Sequence, residues 1–539
     1  MRGSSVTWLR ARSGIGLSLA AALALGGCNQ ASPGPSGNAV QTASAGVGSA
    51  ATSGGAGAGC RIAPTINAQL PNDVSSSDQA DADCFAWQSF IALNWRADPA
   101  NPGYPDPKAQ PQNFGAPDDA APKVWETYLE AGAVFAGPLQ GAWRAKRPAM
   151  KSLARTSKFG AVDLSSIFQA GSGDHWLTNQ RGDLTYYEIM VNRDEYEFIT
   201  QQKGFDLTTA QGQLACAEQR GKQIPEGPPI PTLPYRGGLS MPSGTRNGWT
   251  DTDCTGAGKN WGDGVGAMEI KASWTPLPAD HSLDYRYKTA IAEISDPVTK
   301  TTRKVTVGLV GLHVLRKTIG RQQWVWSTFE QIDNSPDEAT NKNGFSPPAL
   351  PKNPNPIGRF PGFTYFNPAC TPESDPTYGC RHNFPPRPCG KGGVCMPYNK
   401  PMQITRLNPV GQTANAVTAY VWNQLPQRSV FNYYRLIDVQ WPQDVKKIVP
   451  SQQRLPLPMG NPKPSGVAGG VGQIVANTTL ESFQQKQAAC MDCHANYAQI
   501  YYKQLKANGP NGLRTISKPT PEGLFASDFS FLFITETRR

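Results

Sequence analysis

The chain has 539 residues, with 51 basic and 41 acidic side chains and a formal net charge of +10. Its 54 glycines and 48 prolines favour a loop-rich β or α+β protein over a helical bundle or a coiled coil. After the N-terminal region no apolar run approaches the ~20 residues of a membrane-spanning helix, which excludes an integral membrane protein. The basic residues are not clustered and lack interleaved aromatic residues, which predicts no nucleic-acid partner.

The N-terminus has the pattern of an export signal. An apolar run over residues 15–25 follows a basic start formed by Arg2, Arg10 and Arg12. The next residues, Leu25-Gly26-Gly27-Cys28, resemble a bacterial lipobox, in which the chain is cut before the cysteine and its thiol receives lipid. The resemblance implies a signal peptide over 1–27 and a membrane-lipid partner at Cys28. A buried N-terminal helix with an incidental cysteine is the alternative.

Asn29 follows the lipobox cysteine, which resembles sorting to the outer membrane rather than retention in the inner one. We therefore expect a lipid-anchored protein of the cell envelope, at the outer membrane and facing the periplasm. Residues 29–58 contain neither a charged nor an aromatic side chain, and such a stretch cannot bury enough surface to offset its ordering entropy. The sequence thus predicts a flexible tether over 28–59, a body over 60–470 and a C-terminal segment over 471–539.

Eight of the 11 cysteines lie in the predicted body, and an even number in an exported chain indicates disulfides. Sequential pairing is the simplest arrangement among the 105 possible ones: Cys60–Cys84, Cys216–Cys254, Cys370–Cys380 and Cys389–Cys395. A zinc site within 370–395 is the alternative, but no Cys-x-x-Cys pair occurs there.

The body has the pattern of strands with helices at either end. Helical spacing of apolar residues predicts helices over 84–97, from Pro122 to Leu129, and over 412–424. An antiparallel meander is predicted from strands over 266–275, 285–295, 303–316 and 322–330, with a further strand over 430–440. In the strand over 322–330, Trp324, Trp326, Thr328 and Glu330 share one face, which is either the lining of a pocket or a half-buried edge. The fold class is therefore α+β, an antiparallel β-rich body with peripheral helices.

Cys490-Met491-Asp492-Cys493-His494 is the most informative motif, because C-x-x-C-H is the attachment sequence of a c-type haem. On a helical turn both thiols reach the vinyl groups of one porphyrin edge, and the following histidine binds the iron. Thr478-x-x-Glu481 is a candidate capping box at the start of this helix. One covalent haem c is predicted, held by Cys490 and Cys493 with His494 as axial ligand. A thioredoxin-like pair, half a zinc site and a bare disulfide are the alternatives.

The second axial ligand is not where small cytochromes place it, since residues 495–539 contain neither methionine nor histidine. Upstream, Met459 in a proline-rich loop and His313 in an apolar strand are candidates, although a buried histidine is more often a core residue. A lysine, a tyrosine or water are further alternatives. An open sixth position permits O2 or peroxide chemistry.

The motif resembles that of c-type cytochromes. The whole chain resembles large proteobacterial cytochrome c family proteins in the segments LVGLHVLRKT, QWVWSTFEQIDN and YYRLIDVQWP, so the chain is similar to a bacterial c-type cytochrome lipoprotein. The resemblance implies a small helical haem segment at the C-terminus and a redox function.

Because more than 400 residues precede the motif, an oxidoreductase with a substrate pocket in the body is the first hypothesis. An electron-transfer cytochrome that docks a partner enzyme, a haem dioxygenase or peroxidase on an apolar substrate, and a lipoprotein with an accidental motif are the alternatives. The sequence identifies no catalytic residue.

Overall fold

Strand-forming sequence in the middle of the chain builds one eight-stranded sheet, which the computed structural model shows to be mostly antiparallel. The described residues are 59–74, 78–136, 142–145, 147–148, 150–153, 176–222, 238–246, 248–296, 299, 301–338, 359–375, 378–385, 398–441, 475–485, 490, 494, 499–501 and 524–535. The strands of the sheet are β1 Leu129–Glu130, β2 Lys151–Leu153, β3 Tyr186–Val191, β4 Met268–Pro276, β5 Thr289–Ser295, β6 Thr302–Thr318, β7 Arg321–Gln331 and β8 Tyr434–Gln440.

Helices surround this sheet, and the fold class is α+β as predicted. They are α1 Gln79–Leu93, α2 Ala131–Phe135, α3 Arg193–Thr200, α4 Ala210–Lys222 and α5 Gln412–Trp422. A last short helix spans Leu532–Thr535, and a separate two-stranded ribbon pairs β9 Gln499–Tyr501 with β10 Leu524–Ala526. Helix α3 begins where it does because the side chain of Asn192 caps it, accepting a hydrogen bond from the backbone N–H of Glu195 at 3.2 Å.

The long strand β6 organises the sheet. Its C-terminal half pairs with β4 and with β7, and its N-terminal half pairs with β5. The predicted strand positions are confirmed, but the predicted meander is wrong in one pairing, because β4 pairs with β6 rather than with its neighbour in sequence, β5. Strand β3 pairs with β4, β8 pairs with β7, and β2 joins β5 in the parallel direction.

The apolar face of the sheet forms the core with α1 and α5. The ring of Phe329 on β7 lies 5.1 Å from that of Trp87 and 4.4 Å from that of Phe90, both on α1. Trp87 also donates its indole N–H to the hydroxyl of Thr418 on α5 at 3.1 Å, which joins the two helices inside the core. Burying such large aromatic side chains contributes about 2–3 kcal/mol each.

Three of the four predicted disulfides are present: Cys60–Cys84, Cys216–Cys254 and Cys370–Cys380. The fourth predicted pair, Cys389–Cys395, lies outside the described residues. The second bridge ties α4 to the loop that precedes β4, and both of its sulfurs are buried. The first bridge fastens the start of the described body to α1.

The C-terminal part of the chain packs against the same sheet. Ile500, Phe529, Leu532 and Phe533 belong to the core that the strands and α1 form. Residues 478–485 form consecutive turns, so the helix predicted to start at a Thr478–Glu481 box is wrong there. The side chain of Asn477 closes the first of these turns, because it accepts a hydrogen bond from the N–H of Thr479 at 2.9 Å. The carboxylate of Glu481 accepts a hydrogen bond from the N–H of Asn477 at 3.0 Å.

Candidate functional site

Two residues of the predicted haem motif are described, and both have helical backbone conformation. Cys490 is half-buried, with its Sγ 3.8 Å from the carbonyl oxygen of Val475, and His494 is 7% exposed. Cys493, Met459 and Cys28 lie outside the described residues.

The imidazole of His494 sits between two aromatic rings. Its centroid is 4.3 Å from the ring of Trp326 on β7 and 4.5 Å from that of Phe531. Its Nδ1 lies 2.6 Å from the carbonyl oxygen of Phe529. A carbonyl oxygen only accepts, so Nδ1 carries the proton and the lone pair is on Nε2. Histidines that bind a metal through one nitrogen commonly donate the other N–H to a backbone carbonyl in this way.

The carbonyl that holds His494 belongs to an unusual turn. Asp528 and Phe529 both have left-handed backbone conformation, with φ angles of 57° and 67°. That conformation costs about 1–2 kcal/mol for a residue with a side chain. The turn is held by the carboxylate of Asp528, which accepts from the ammonium of Lys317 on β6 at 2.7 Å and from the N–H of Met241 at 2.5 Å. Both side chains of this ion pair are completely buried.

His494 lies over one face of the sheet, which we call the polar face. It consists of three cross-strand rows, taken in the order β4, β6 and β7: Glu269, Leu315 and Trp326; Lys271, His313 and Thr328; Ser273, Gly311 and Glu330. All nine residues are buried. The predicted common face of Trp326, Thr328 and Glu330 is therefore confirmed by the pairing, and it is buried rather than a solvated edge. Trp324 was also predicted to share this face, but it has a left-handed backbone conformation, with a φ of 69°, and is not among the paired residues of β7.

Residues 475–485, which we call the covering segment, are hydrogen-bonded to this face. The amide of Asn477 donates to the hydroxyl of Thr328 at 3.0 Å and to the carbonyl of Phe329 at 2.9 Å. The hydroxyls of Thr479 and Ser273 are 2.7 Å apart. The segment approaches so closely that a Cβ on Gly311 would lie 2.3 Å from Oγ1 of Thr479. A glycine is therefore required at this point of β6.

A buried ion pair fixes the covering segment at its other side. Glu330 and Arg406 form a direct salt bridge, and their side chains are 2% and 1% exposed. Glu330 also accepts from the backbone N–H of Thr478 at 2.5 Å and from its hydroxyl at 3.0 Å. Arg406 donates to the carbonyl of Ala476 at 3.2 Å. A buried pair of this kind is stable because additional hydrogen bonds satisfy the remaining polar atoms.

His313, the predicted distal-ligand candidate, lies in the middle row of the polar face and is 6% exposed. Its Nε2 is 3.2 Å from Oε2 of Glu481 in the covering segment. His313 pairs with Thr328, so it is a diagonal neighbour of Trp326, the residue that contacts His494. Such diagonal neighbours are about 7–8 Å apart. The structure therefore brings His313 and His494 to the same side of the sheet, with His313 bonded to a carboxylate.

Two buried carboxyl groups lie at the end of the polar face nearest α3. Glu195 on α3 is completely buried, and among the described residues neither of its carboxyl oxygens has a hydrogen-bond partner. Burial, and then repulsion by Glu269, raises the pKa of Glu195 well above its usual range. Burial also raises the pKa of Glu269, while Lys271 and a hydrogen bond with Ser530 oppose that shift. Burial raises the pKa of Asp528 to about 6 against the attraction of Lys317.

The alternative zinc site is not supported. Cys370 and Cys380 lie near Asp375, and the three are the one group among the described residues with a spacing suited to a metal ion. The two sulfurs are bonded to each other, however, and a disulfide does not supply the thiolates that zinc requires.

Sequence reasoning missed the charged residues of this region: Glu195, Glu269, Lys271, Lys317 and Asp528. A signal existed for two of them, because Glu269 and Lys271 alternate with apolar residues inside a predicted strand. That pattern is usually a solvated face, and it is buried here because the C-terminal part of the chain covers it. Phe531 also lies against His494.

No family model, curated protein or solved structure matches this chain. Within the described residues no helix has both the length and the apolar character needed to cross a bilayer.

Proposed function

We propose that this chain is a lipid-anchored, monohaem c-type cytochrome of the bacterial cell envelope with a redox function. The observation that carries the proposal is the setting of His494. It is buried in the position that the C-x-x-C-H motif assigns to the iron ligand, and its Nδ1–H is fixed by the carbonyl of Phe529. This hydrogen bond selects the tautomer in which Nε2 is the metal-binding atom.

The donor set fits a c-type haem. Cys490 and Cys493 would form the two thioether bonds, and His494 would bind the iron. When bound, the haem supplies one-electron transfer and, where the iron has an open position, binding of O2 or peroxide. The strained turn at Asp528 and Phe529 orients the imidazole of His494. The rings of Trp326 and Phe531 exclude water from it.

The polar face supports an oxidoreductase over a simple electron carrier. An electron carrier needs little more than the haem and its ligands, whereas here buried carboxyl groups and Lys271 lie on the sheet face over which His494 sits. Buried titratable groups with shifted pKa values are typical of sites where protons are moved.

Expression in the periplasm together with haem maturation proteins tests the cofactor. The protein is expected to carry one covalent haem per chain, and C490S/C493S is expected to carry none. C370S/C380S is the matched control, because it also removes two cysteines but leaves the motif intact. Absence of covalent haem in the wild-type protein would contradict the proposal.

Spectra of the oxidised, the reduced and the carbon monoxide-treated protein then separate the two redox functions. An iron that binds carbon monoxide readily is expected for an oxidoreductase that acts on O2, peroxide or a bound substrate. A low-spin spectrum that carbon monoxide does not change would instead assign electron transfer. For the anchor, C28S is expected to move the protein from the membrane fraction to the soluble periplasmic fraction.

A further inference from the structure

The buried carboxyl groups of Glu195 and Glu269 lie where α3 meets β4, two elements joined by Asn192, whose N–H donates to the carbonyl of Met268 at 3.2 Å and whose Oδ1 accepts from the N–H of Met268 at 3.0 Å. Glu195 is 0% exposed and has no hydrogen-bond partner on either carboxyl oxygen among the described residues. Glu269 is 1% exposed, and its Oε2 likewise has none there. Their mutual repulsion is the largest electrostatic influence on Glu195 after burial. Burial and this repulsion both favour the protonated form of the pair.

The pair is linked to His494 by two routes. Glu269 is hydrogen-bonded to Ser530, and the preceding residue, Phe529, holds the Nδ1–H of His494. Across the sheet, Glu269 and Trp326 flank Leu315 in one cross-strand row, which places them two strands, or about 10 Å, apart. The ring of Trp326 contacts that of His494 at 4.3 Å. A charge at the pair therefore acts on His494 through a dry interior rather than through solvent.

We propose that the Glu195–Glu269 pair takes up one proton when the iron held by His494 gains one electron. This inference rests on the proposed function. In the balanced step, an external one-electron donor is oxidised, the iron is reduced, and one proton from solvent binds to a carboxylate oxygen of the pair. The total charge of the buried region then stays constant.

Other charged groups around the pair do not replace it in this role. Lys271, next to Glu269 on β4, is a buried cation that lowers the pKa of both carboxyl groups. Asp528 repels Glu195, but its charge is already compensated by the direct ion pair with Lys317. His313 lies further along the polar face and is bonded to Glu481 of the covering segment. Among the described residues, Glu195 and Glu269 are the carboxyl pair of this face that has no bonded cation.

The experiment is a titration of the reduction potential of the haem-loaded protein between pH 5 and pH 9. We expect the wild-type potential to fall as pH rises within the range where the pair titrates, because protonation of the pair favours the reduced iron. E195Q and E269Q should each abolish most of this slope, because each removes one member of the pair and with it the repulsion between the two carboxylates. E195Q is the safer variant for folding, because the carboxyl group of Glu195 has no hydrogen bond to lose among the described residues. E293Q, on the edge-side strand β5, is the matched control and should keep the slope.

A second readout is independent of the potential. Infrared difference spectra between the reduced and the oxidised protein should show a protonated carboxyl stretch that appears on reduction and is lost in E195Q and E269Q. A wild-type potential that does not change with pH, or a slope that persists in both variants, would overturn the inference and leave the haem assignment intact. Failure to attach haem would instead show in the haem content of the wild-type protein and would contradict the proposed function itself.

Discussion

Asp83 of α1 and Asp438 of β8 accept hydrogen bonds from one and the same amide nitrogen, Nε2 of Gln79, at 2.9 Å and 3.3 Å. Both carboxyl groups are buried. Burial raises the pKa of Asp83 to about 7, and burial followed by repulsion from Asp83 raises that of Asp438 well above its usual range. Because the folded protein binds protons here that the unfolded chain has released, its stability falls as pH rises.

This relationship gives a pH prediction with a defined sign. For Asp83 the loss begins near its unfolded pKa of about 4 and is complete near pH 7, with a slope of about 1.4 kcal/mol per pH unit for each proton. D438N removes one titrating group and its repulsion, so the difference in the free energy of unfolding between pH 5 and pH 8 should shrink relative to wild type. Urea unfolding at both pH values measures it, with E293Q as control. An unchanged difference in D438N would contradict the prediction.

Replacing Gly311 should weaken the attachment of the covering segment. A Cβ at this position would also lie 2.6 Å from Oγ of Ser273, so G311A must displace Thr479 or its neighbours. We expect a loss of about 1–3 kcal/mol in the free energy of unfolding, which urea unfolding measures. In a double-mutant cycle, T479A should cost less in the G311A background than in wild type, because it removes the nearest clashing atom. Additive costs would show that the contact is not the cause.

Trp326 should protect the imidazole of His494 from solvent and small ligands. W326A removes a ring that is 4.3 Å from His494 and leaves a cavity beside it, with an expected cost of about 3–5 kcal/mol in stability. In the haem-loaded protein, carbon monoxide should bind faster to W326A than to wild type. W326F keeps an aromatic ring and is expected to lie near wild type in both measurements. Equal binding rates in all three proteins would argue against a protective role.

His313 should act through Glu481 rather than through the iron. H313Q keeps a donor for the carboxylate that is 3.2 Å from Nε2 in the wild-type protein. We expect the visible spectrum of the haem-loaded variant to match that of wild type, with a stability loss of about 1–2 kcal/mol from the altered buried hydrogen bond. A change from a low-spin to a high-spin spectrum would instead identify His313 as the distal ligand that the sequence offered as a candidate.

The central strands could be predicted from the sequence because apolar, β-branched and aromatic residues are concentrated in each of them. The predicted ranges 303–316 and 322–330 lie within β6 and β7. Strand β3 was missed because all six of its residues are buried, so Tyr186–Val191 shows no alternation of apolar and polar residues. The pairing of β4 with β6 could not be predicted, since it depends on contacts between residues about 40 positions apart.

Part of the candidate site was also predictable. The C-x-x-C-H motif marks His494 as a candidate ligand because its residues are adjacent in the sequence, whereas the hydrogen-bond partner of His494 is a carbonyl 35 residues away. The covering segment was predicted to be helical from Thr478 and Glu481. It forms turns because Thr478 bonds to Glu330 on β7, a contact that no local pattern contains. The buried Glu195–Glu269 pair likewise depends on which segment covers the sheet.

The polar face is closed by residues 475–485 and 527–533, which follow all eight strands of the sheet in the sequence. These segments therefore complete the sheet, and their removal would expose a row of charged and hydroxyl-bearing side chains instead of removing a separable module. The same segments therefore complete the core and surround the imidazole of His494. A substitution that displaces these segments is therefore expected to destabilise the core and the surroundings of His494 together.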